Sequence, residues 1–149
     1  MNWRDKLSIG ALTVDTLTLG NTTFNGGTEV VTTTNIITAD ENGKTFFLDS
    51  TTGFTSTLPA PAAGLKFKFI VSKVNTSGNS VIATNGAAAI LRGSADVLST
   101  RVGCAAQKQA NIIASTTVLG DWLEFTSDGA SWFVTGVSSA TGGFTFTAP

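Results

Sequence analysis

Large apolar residues alternate with small or polar ones along most of this chain. The clearest case is Leu65 to Val71, where Leu65, Phe67, Phe69 and Val71 fall on one face and Lys66, Lys68 and Ile70 on the other. That two-residue period is the mark of a strand with one side buried. The β-branched run EVVTTTNII, from Glu29 to Ile37, predicts a strand, and an Asn42-Gly43 turn leads into another over Lys44 to Asp49. Phe54, Ser56 and Leu58 alternate up to Pro59-Ala60-Pro61, whose prolines cannot donate to a ladder and so end a strand. A short strand is expected over Val81 to Thr84, between the turn clusters Asn75 to Ser80 and Asn85-Gly86. The Ile/Thr/Val-rich segment Asn111 to Val118 predicts a further strand, and Phe144 and Phe146 predict a closing one beyond a glycine hinge. From Ala87 to Lys108 the pattern is weakest and predicts loop and strand. Ala105 to Ala110 could form a helical turn or two, but lacks the apolar stripe that sustains an isolated helix.

The stretch GDWLEFTSDGASWFVTG, Gly120 to Gly136, predicts a hairpin, since Asp-Gly between alternating runs favours a two-residue turn. Counting outward from Asp128-Gly129 pairs Ser127 with Ala130, Phe125 with Trp132 and Leu123 with Val134, which makes a core face. The other face then pairs Glu124 with Phe133 and Trp122 with Thr135. That is too apolar for a face meeting only water, so a cover is expected.

The N-terminal segment carries a repeat. LSIGA, LTVDT, LTLGN and TTFNG place larger side chains at Leu7 and Ile9, Leu12 and Val14, Leu17 and Leu19, and Thr22 and Phe24, a period of five. A step of two followed by three implies short strand pieces separated by bends. Such repeats bury their apolar side by stacking on neighbours, and one coil's worth cannot form a core alone. Residues 1–27 are therefore expected to form an extended β-arm that packs on other copies around a three-fold axis, or else lies across its own domain. Residues 28–149 are expected to form a single antiparallel β-sandwich or barrel, jelly-roll-like, in an all-β protein.

Composition narrows the chemistry. The 149 residues include 13% charged residues, a net charge of −1, no histidine, no tyrosine and one cysteine. A nucleic-acid binder would show a basic face, and the one lysine cluster, Lys66, Lys68 and Lys73, reads as a solvated edge or face. No Ser-His-Asp or Cys-His pair, no His/Cys zinc site and no intrachain disulfide can be built, so neither metal nor cofactor is expected. Cys104, among Gly103, Ala105 and Ala106, reads as a small buried hydrophobe. Gly43-Lys44-Thr45 looks like the end of a phosphate-binding loop but lacks the glycine five positions earlier, where Thr38 stands. MNWRDKLSIG is followed by no signal-type apolar segment and no run approaches a membrane span, so synthesis in a cytoplasm is expected and membrane residence is not.

Three candidate sites remain. Most acids, Asp40, Asp49 and Asp128 among them, stand at turns. Glu124 alone lies between aromatic residues in a strand, as an edge residue paired with a lysine or as half of an acid-only glycosidase. Trp122 and Phe133 suit a subunit or scaffold contact, or a sugar-stacking platform. The apolar repeat positions suit chain-to-chain packing.

ITADENGKTFFLDSTTGFTSTLPAPAAGLKFKFIV, in the middle of the chain, and GDWLEFTSDGASWFVTG with the Gly-rich FTFT tail resemble the small virion proteins of tailed bacteriophages that decorate the head shell. Related-looking domains occur in phage fibre and spike proteins. The resemblance implies a trimeric β-rich cement protein on the outer capsid surface, bound where neighbouring subunits of the major capsid protein meet, and implies no catalytic residues. A trimer or capsid interface of Leu7, Ile9, Leu12, Val14, Leu17, Leu19, Phe24, Trp122 and Phe133 is the expectation. The competing one is a tail fibre or spike module that binds host-surface polysaccharide.

Overall fold

The computed structural model describes residues 17–19, 22–24, 26–86 and 88–148. Its first half is a coil. Strands β3 (Thr28–Val31), β4 (Asn35–Ile36), β5 (Thr45–Asp49), β6 (Thr55–Thr57), β7 (Lys66–Lys73) and β8 (Ser80–Ala83) alternate between two sheets, each from β5 onward pairing in parallel with the strand two before it. Parallel strands cannot be joined by a tight turn, and here the strand of the opposite sheet serves as the crossover. The second half completes the layers with β9 (Leu91–Val97), β10 (Thr100–Gln107), β11 (Gln109–Ile112), β12 (Trp122–Ser127), β13 (Trp132–Ser138) and β14 (Phe144–Thr147). One sheet has seven strands in the order β10-β9-β13-β12-β7-β5-β3, and the other has five, β14-β11-β8-β6-β4. The protein is thus an all-β sandwich, as expected. Its sheets are mixed where wholly antiparallel, jelly-roll-like ones were expected, because alternation along a strand specifies its buried face and not its neighbour's direction.

Before the coil, β1 (Leu17–Leu19) and β2 (Thr22–Phe24) pair only with each other, Leu17 opposite Phe24 and Leu19 opposite Thr22. The repeat positions Leu7, Ile9, Leu12 and Val14 lie outside the described residues. At the coil's first turn the Glu41 carboxylate accepts the Thr38 N–H at 2.7 Å, and Lys44 bridges Glu29 and Glu41 at 2.9 and 3.1 Å. Glu29 lies on the inward side of edge strand β3, in register with Phe46, and an inward charge of this kind discourages strand addition at an edge.

The seven-stranded sheet supplies most of the core aromatics. Phe46 stacks on Phe69 at 5.2 Å, Phe125 meets Phe69 edge-on at 5.5 Å, and Trp132 lies 5.7 Å from Phe67. Ser56, Ser80, Ile82, Ala110, Asn111, Ile112 and Phe144 are the buried side chains of the five-stranded sheet's strands.

Four segments depart from the pattern reading, the first being Glu29 to Ile37, expected as one strand but split into β3 and β4 in opposite sheets. Between Ala87 and Lys108 stand β9 and β10, two of the longer strands, disguised because the small residues Gly93, Ala95 and Cys104 interrupt the larger inward ones, Leu91, Val97 and Val102. The contemplated helical turn at Ala105 to Ala110 is a β-bulge, with Ala106 at φ 58° between the register positions Ala105 and Gln107. The strand expected over Asn111 to Val118 stops at Ile112. The chain then turns, with the Thr116 and Thr117 N–H groups both donating to the Ile113 carbonyl and Ser115 at φ 58°.

The β12–β13 hairpin has its expected faces in a different register. Ser127 stands opposite Trp132, so the loop holds four residues, Asp128 to Ser131, and Phe125 pairs with Val134, Glu124 with Thr135 and Trp122 with Val137. The cause is Asp128, whose carboxylate accepts the Ala130 and Ser131 N–H groups at 2.8 Å each, closing a wider turn than the Asp-Gly pair alone would make. A slip of two residues preserves which side each residue faces, so Leu123, Phe125, Trp132 and Val134 remain core.

The Ser131 and then the Ala130 N–H hold the Asp128 carboxyl below its ordinary range. A depressed folded-state value contributes stability that is present above the ordinary carboxylate pKa and lost as pH falls through the folded one. Asp128→Asn is expected to flatten that part of the acid limb in urea melts followed between pH 5 and 2. An unchanged slope would deny the turn this role.

Candidate functional site

The outer face of the seven-stranded sheet carries the candidate residues. Strand register aligns its side chains in rows running across the strands. One row is Val30 on β3, Phe47 on β5, Ile70 on β7, Trp122 on β12 and Val137 on β13. It is an unbroken apolar band over five adjacent strands, spanning about 19 Å at the usual strand spacing. Val30 is 61% and Val137 42% exposed, whereas Phe47, Ile70 and Trp122 are half-buried by their neighbours. Two residues along each strand lies a second row, polar throughout: Thr28, Thr45, Lys68, Glu124 and Thr135. The Lys68 Nζ sits 4.6 Å above the Trp122 ring, and Lys66 pairs with Glu124 at 3.1 Å.

These contacts decide several candidates. Glu124 is paired with a lysine, as one reading had it, but on an interior strand rather than an edge. Trp122 and Phe133 do not form one platform. Trp122 stands opposite Val137, four residues along β13 from Phe133, a distance of about 13 Å along an extended strand. The predicted register would have brought them within two residues of each other. Phe133 lies instead beside Arg92 and Thr126. Trp132 is fully buried in the core.

Gly43, Lys44 and Thr45 do line a shallow depression of about 200 Å³, together with Lys66, Lys68 and Glu124. Its backbone cannot cradle phosphate, because the three N–H groups already donate, Gly43 to the Lys66 carbonyl, Lys44 to Glu41 and Thr45 to Gly27. Lys44 is held by its two glutamates, chiefly through the hydrogen bond to Glu29, which keeps its ammonium pKa raised. Although burial works against it, the Thr38 N–H and Lys44 hold the Glu41 carboxyl low. Lys68 has no ion pair among the described residues. The band's lower flank therefore has Lys66, Lys68 and Arg92 against Glu124 and, near Arg92, Asp128.

Asp121 is the acid that pattern reading missed. It is buried, and its two oxygens accept from the Val118 N–H, the Ser138 hydroxyl, and the N–H and hydroxyl of Ser139, at 2.8 to 2.9 Å. These donors saturate the carboxylate, which locks the turn before β12 onto the end of β13 and leaves it no lone pair for chemistry. An Asp followed at once by an alternating run is a weak signal, and its serine partners lie 17 and 18 residues away. Among the described residues no three metal-ligating side chains converge.

Cys104 is buried and its thiol donates to the Leu91 carbonyl at 3.3 Å. Burial pushes its pKa up to about 11, so the nucleophilic thiolate is scarce at neutral pH. Alkylation of the folded protein by iodoacetamide at pH 7.5 is expected to be slower than that of the urea-unfolded chain by about two orders of magnitude. Equal rates would show an accessible, activated thiol.

No protein-family model matches the chain, and neither does any curated protein or solved structure.

Proposed function

We propose that this protein is a non-enzymatic virion component: a homotrimer on the outer surface of a bacteriophage head that clamps neighbouring subunits of the major capsid protein, made in the host cytoplasm and released with the particle. The observation that carries the reading is the apolar band of Val30, Phe47, Ile70, Trp122 and Val137. It lies outside a sandwich whose own core is already complete, and a continuous apolar row on a water-facing sheet side is a protein-contact surface. Three of the ten acids are held by structural contacts: Glu124 is paired with Lys66, Asp121 is saturated and Asp128 closes a turn.

The mechanism needs no cofactor. Three copies of one modest contact, joined through their own subunit interface, bind as a unit, and such linkage multiplies affinity by effective concentration rather than by new contacts.

The fibre or spike reading loses the shared Trp122–Phe133 platform and keeps only Trp122, one face of which is occupied by Lys68. Light scattering together with co-sedimentation on expanded heads tests the proposal. A mass of three chains and saturable head binding are expected; a monomer that ignores heads sinks it. Head binding that survives Trp122→Ala with no glycan-array signal separates cement from host recognition, and the reverse pattern would favour the fibre module.

A further inference from the structure

We infer that the band is covered in the assembly by the N-terminal segment of a neighbouring copy, with Leu12 and Val14 on the apolar row and Asp15 beside Lys68. The inference rests on the trimer reading above and adds to it which surface the chains share.

Three observations converge on this occupant. The first is pattern. Leu12-Thr13-Val14-Asp15-Thr16 alternates apolar and polar residues, so an extended segment lying flat on the sheet presents apolar side chains to one side and polar ones to the other. The outer face offers the matching pair of rows, Phe47, Ile70 and Trp122 beside Thr45, Lys68 and Glu124. The rows are two residues apart on each strand, about 7 Å, which is the lateral reach between successive side chains of an extended chain.

The second is charge. Asp15 is the only charged residue between Leu7 and Gly27. The face it would meet carries Lys68, which has an aromatic ring but no carboxylate partner among the described residues, next to the Lys66–Glu124 pair. A carboxylate brought to Lys68 makes a charge-assisted contact at the border of an apolar surface, where water screens it less than in the open.

The third is where the chain leads. Leu17 stands opposite Phe24, which is four residues, at most about 13 Å of chain, from the edge strand that bears Val30. The sixteen residues before Leu17 span up to about 50 Å when extended, more than twice the length of the band. The β1–β2 ribbon joins neither large sheet, though β2 lies against the turn Ala39–Glu41, and a two-stranded ribbon is marginal in water without further packing.

Cysteines introduced into a Cys104→Ala background test the placement. Val14→Cys and Ile70→Cys chains, distinguished by tags of different size and co-expressed, form a mixed disulfide on mild oxidation only if the segment of one chain lies on the band of another. Val81→Cys, on the five-stranded sheet, replaces Ile70→Cys as the control. A mixed product at least tenfold above the control is expected, and Asp15→Lys in the Val14→Cys chain is expected to lower its yield several-fold. No excess over the control overturns the inference, as does a fast-migrating monomer disulfide from the two cysteines placed in one chain. An unchanged yield with Asp15→Lys removes the Lys68 contact from it. Light scattering on the same samples separates the two failures: trimers without the cross-link leave the trimer reading standing, and monomers end both.

Discussion

Trp132→Ala is expected to cost about 3–5 kcal/mol, the range for truncating a large buried aromatic. Trp132 is fully buried and lies 5.7 Å from Phe67, itself 6.2 Å from Phe46. It begins β13, the strand that joins the antiparallel pair β12–β13 to the parallel pair β13–β9. Removing the ring opens a cavity beneath both junctions, and a domain of this size has only about 5–15 kcal/mol in total. Urea unfolding followed by circular dichroism should show the midpoint fall by a large fraction with the slope unchanged. Trp132→Phe is expected to cost less than half as much. The indole Nε1 is buried without a hydrogen-bond partner, so phenylalanine loses volume but also removes an unmet donor. If alanine and phenylalanine cost the same, the ring's packing is not what holds the two strand pairs together.

Gly93→Ala is expected to be nearly as damaging although it adds a single methyl group. Gly93 has φ 118°, a conformation that side chains avoid, and an added Cβ would drive into the carbonyl oxygen of Val134 on the neighbouring strand. That oxygen is backbone inside the β9–β13 ladder, where Val134 and Gly93 are register partners, so neither can withdraw without breaking the pairing. A cost of about 3 kcal/mol or more follows from the strained dihedral and the ladder distortion together. Gly103→Ala, one strand over, is the control. Its added Cβ meets nothing within 4 Å, and a change within about 0.5 kcal/mol is expected. Equal effects at the two glycines would mean that the close approach of β9 to β13 is not what Gly93 provides.

The two predictions differ in how far pattern alone could reach them. Trp132 was legible as core, because a period of two around a turn determines which side a residue takes, and a wrong loop length of two rather than four leaves that side unchanged. Gly93 was not legible. It stands in a segment where glycine, serine and alanine take the inward or flanking places, and its strain arises from a strand about forty residues downstream. The same holds for Asp121, whose value lies in Ser138 and Ser139.

The apolar band divides along the same line. The outer side of the hairpin was already too apolar for water, and Trp122 stood out on it. That Trp122 belongs to a row with Val30, Phe47, Ile70 and Val137, and not to a platform with Phe133, depends on three interstrand registers and on the four-residue loop closed by Asp128. Registers are set by side-chain packing across strands distant in sequence, which no local window contains.

Taken by itself, the order of residues determined an all-β chain, which residues of its clearest strands face inward, the positions of most turns, and a composition whose lack of histidine excludes a Ser-His-Asp or Cys-His pair within it. These are local properties, governed by a period of two, by the dihedral preferences of glycine, proline and aspartate, and by the residue types at hand. Only the tertiary structure decided that the first six strands of the sandwich wind as a parallel coil, that β9 and β10 exist as long strands, and that five separate apolar residues make one outward-facing band. Those depend on which strands become neighbours and in which direction, a choice made by the collective packing of the two layers and written in no single stretch of chain.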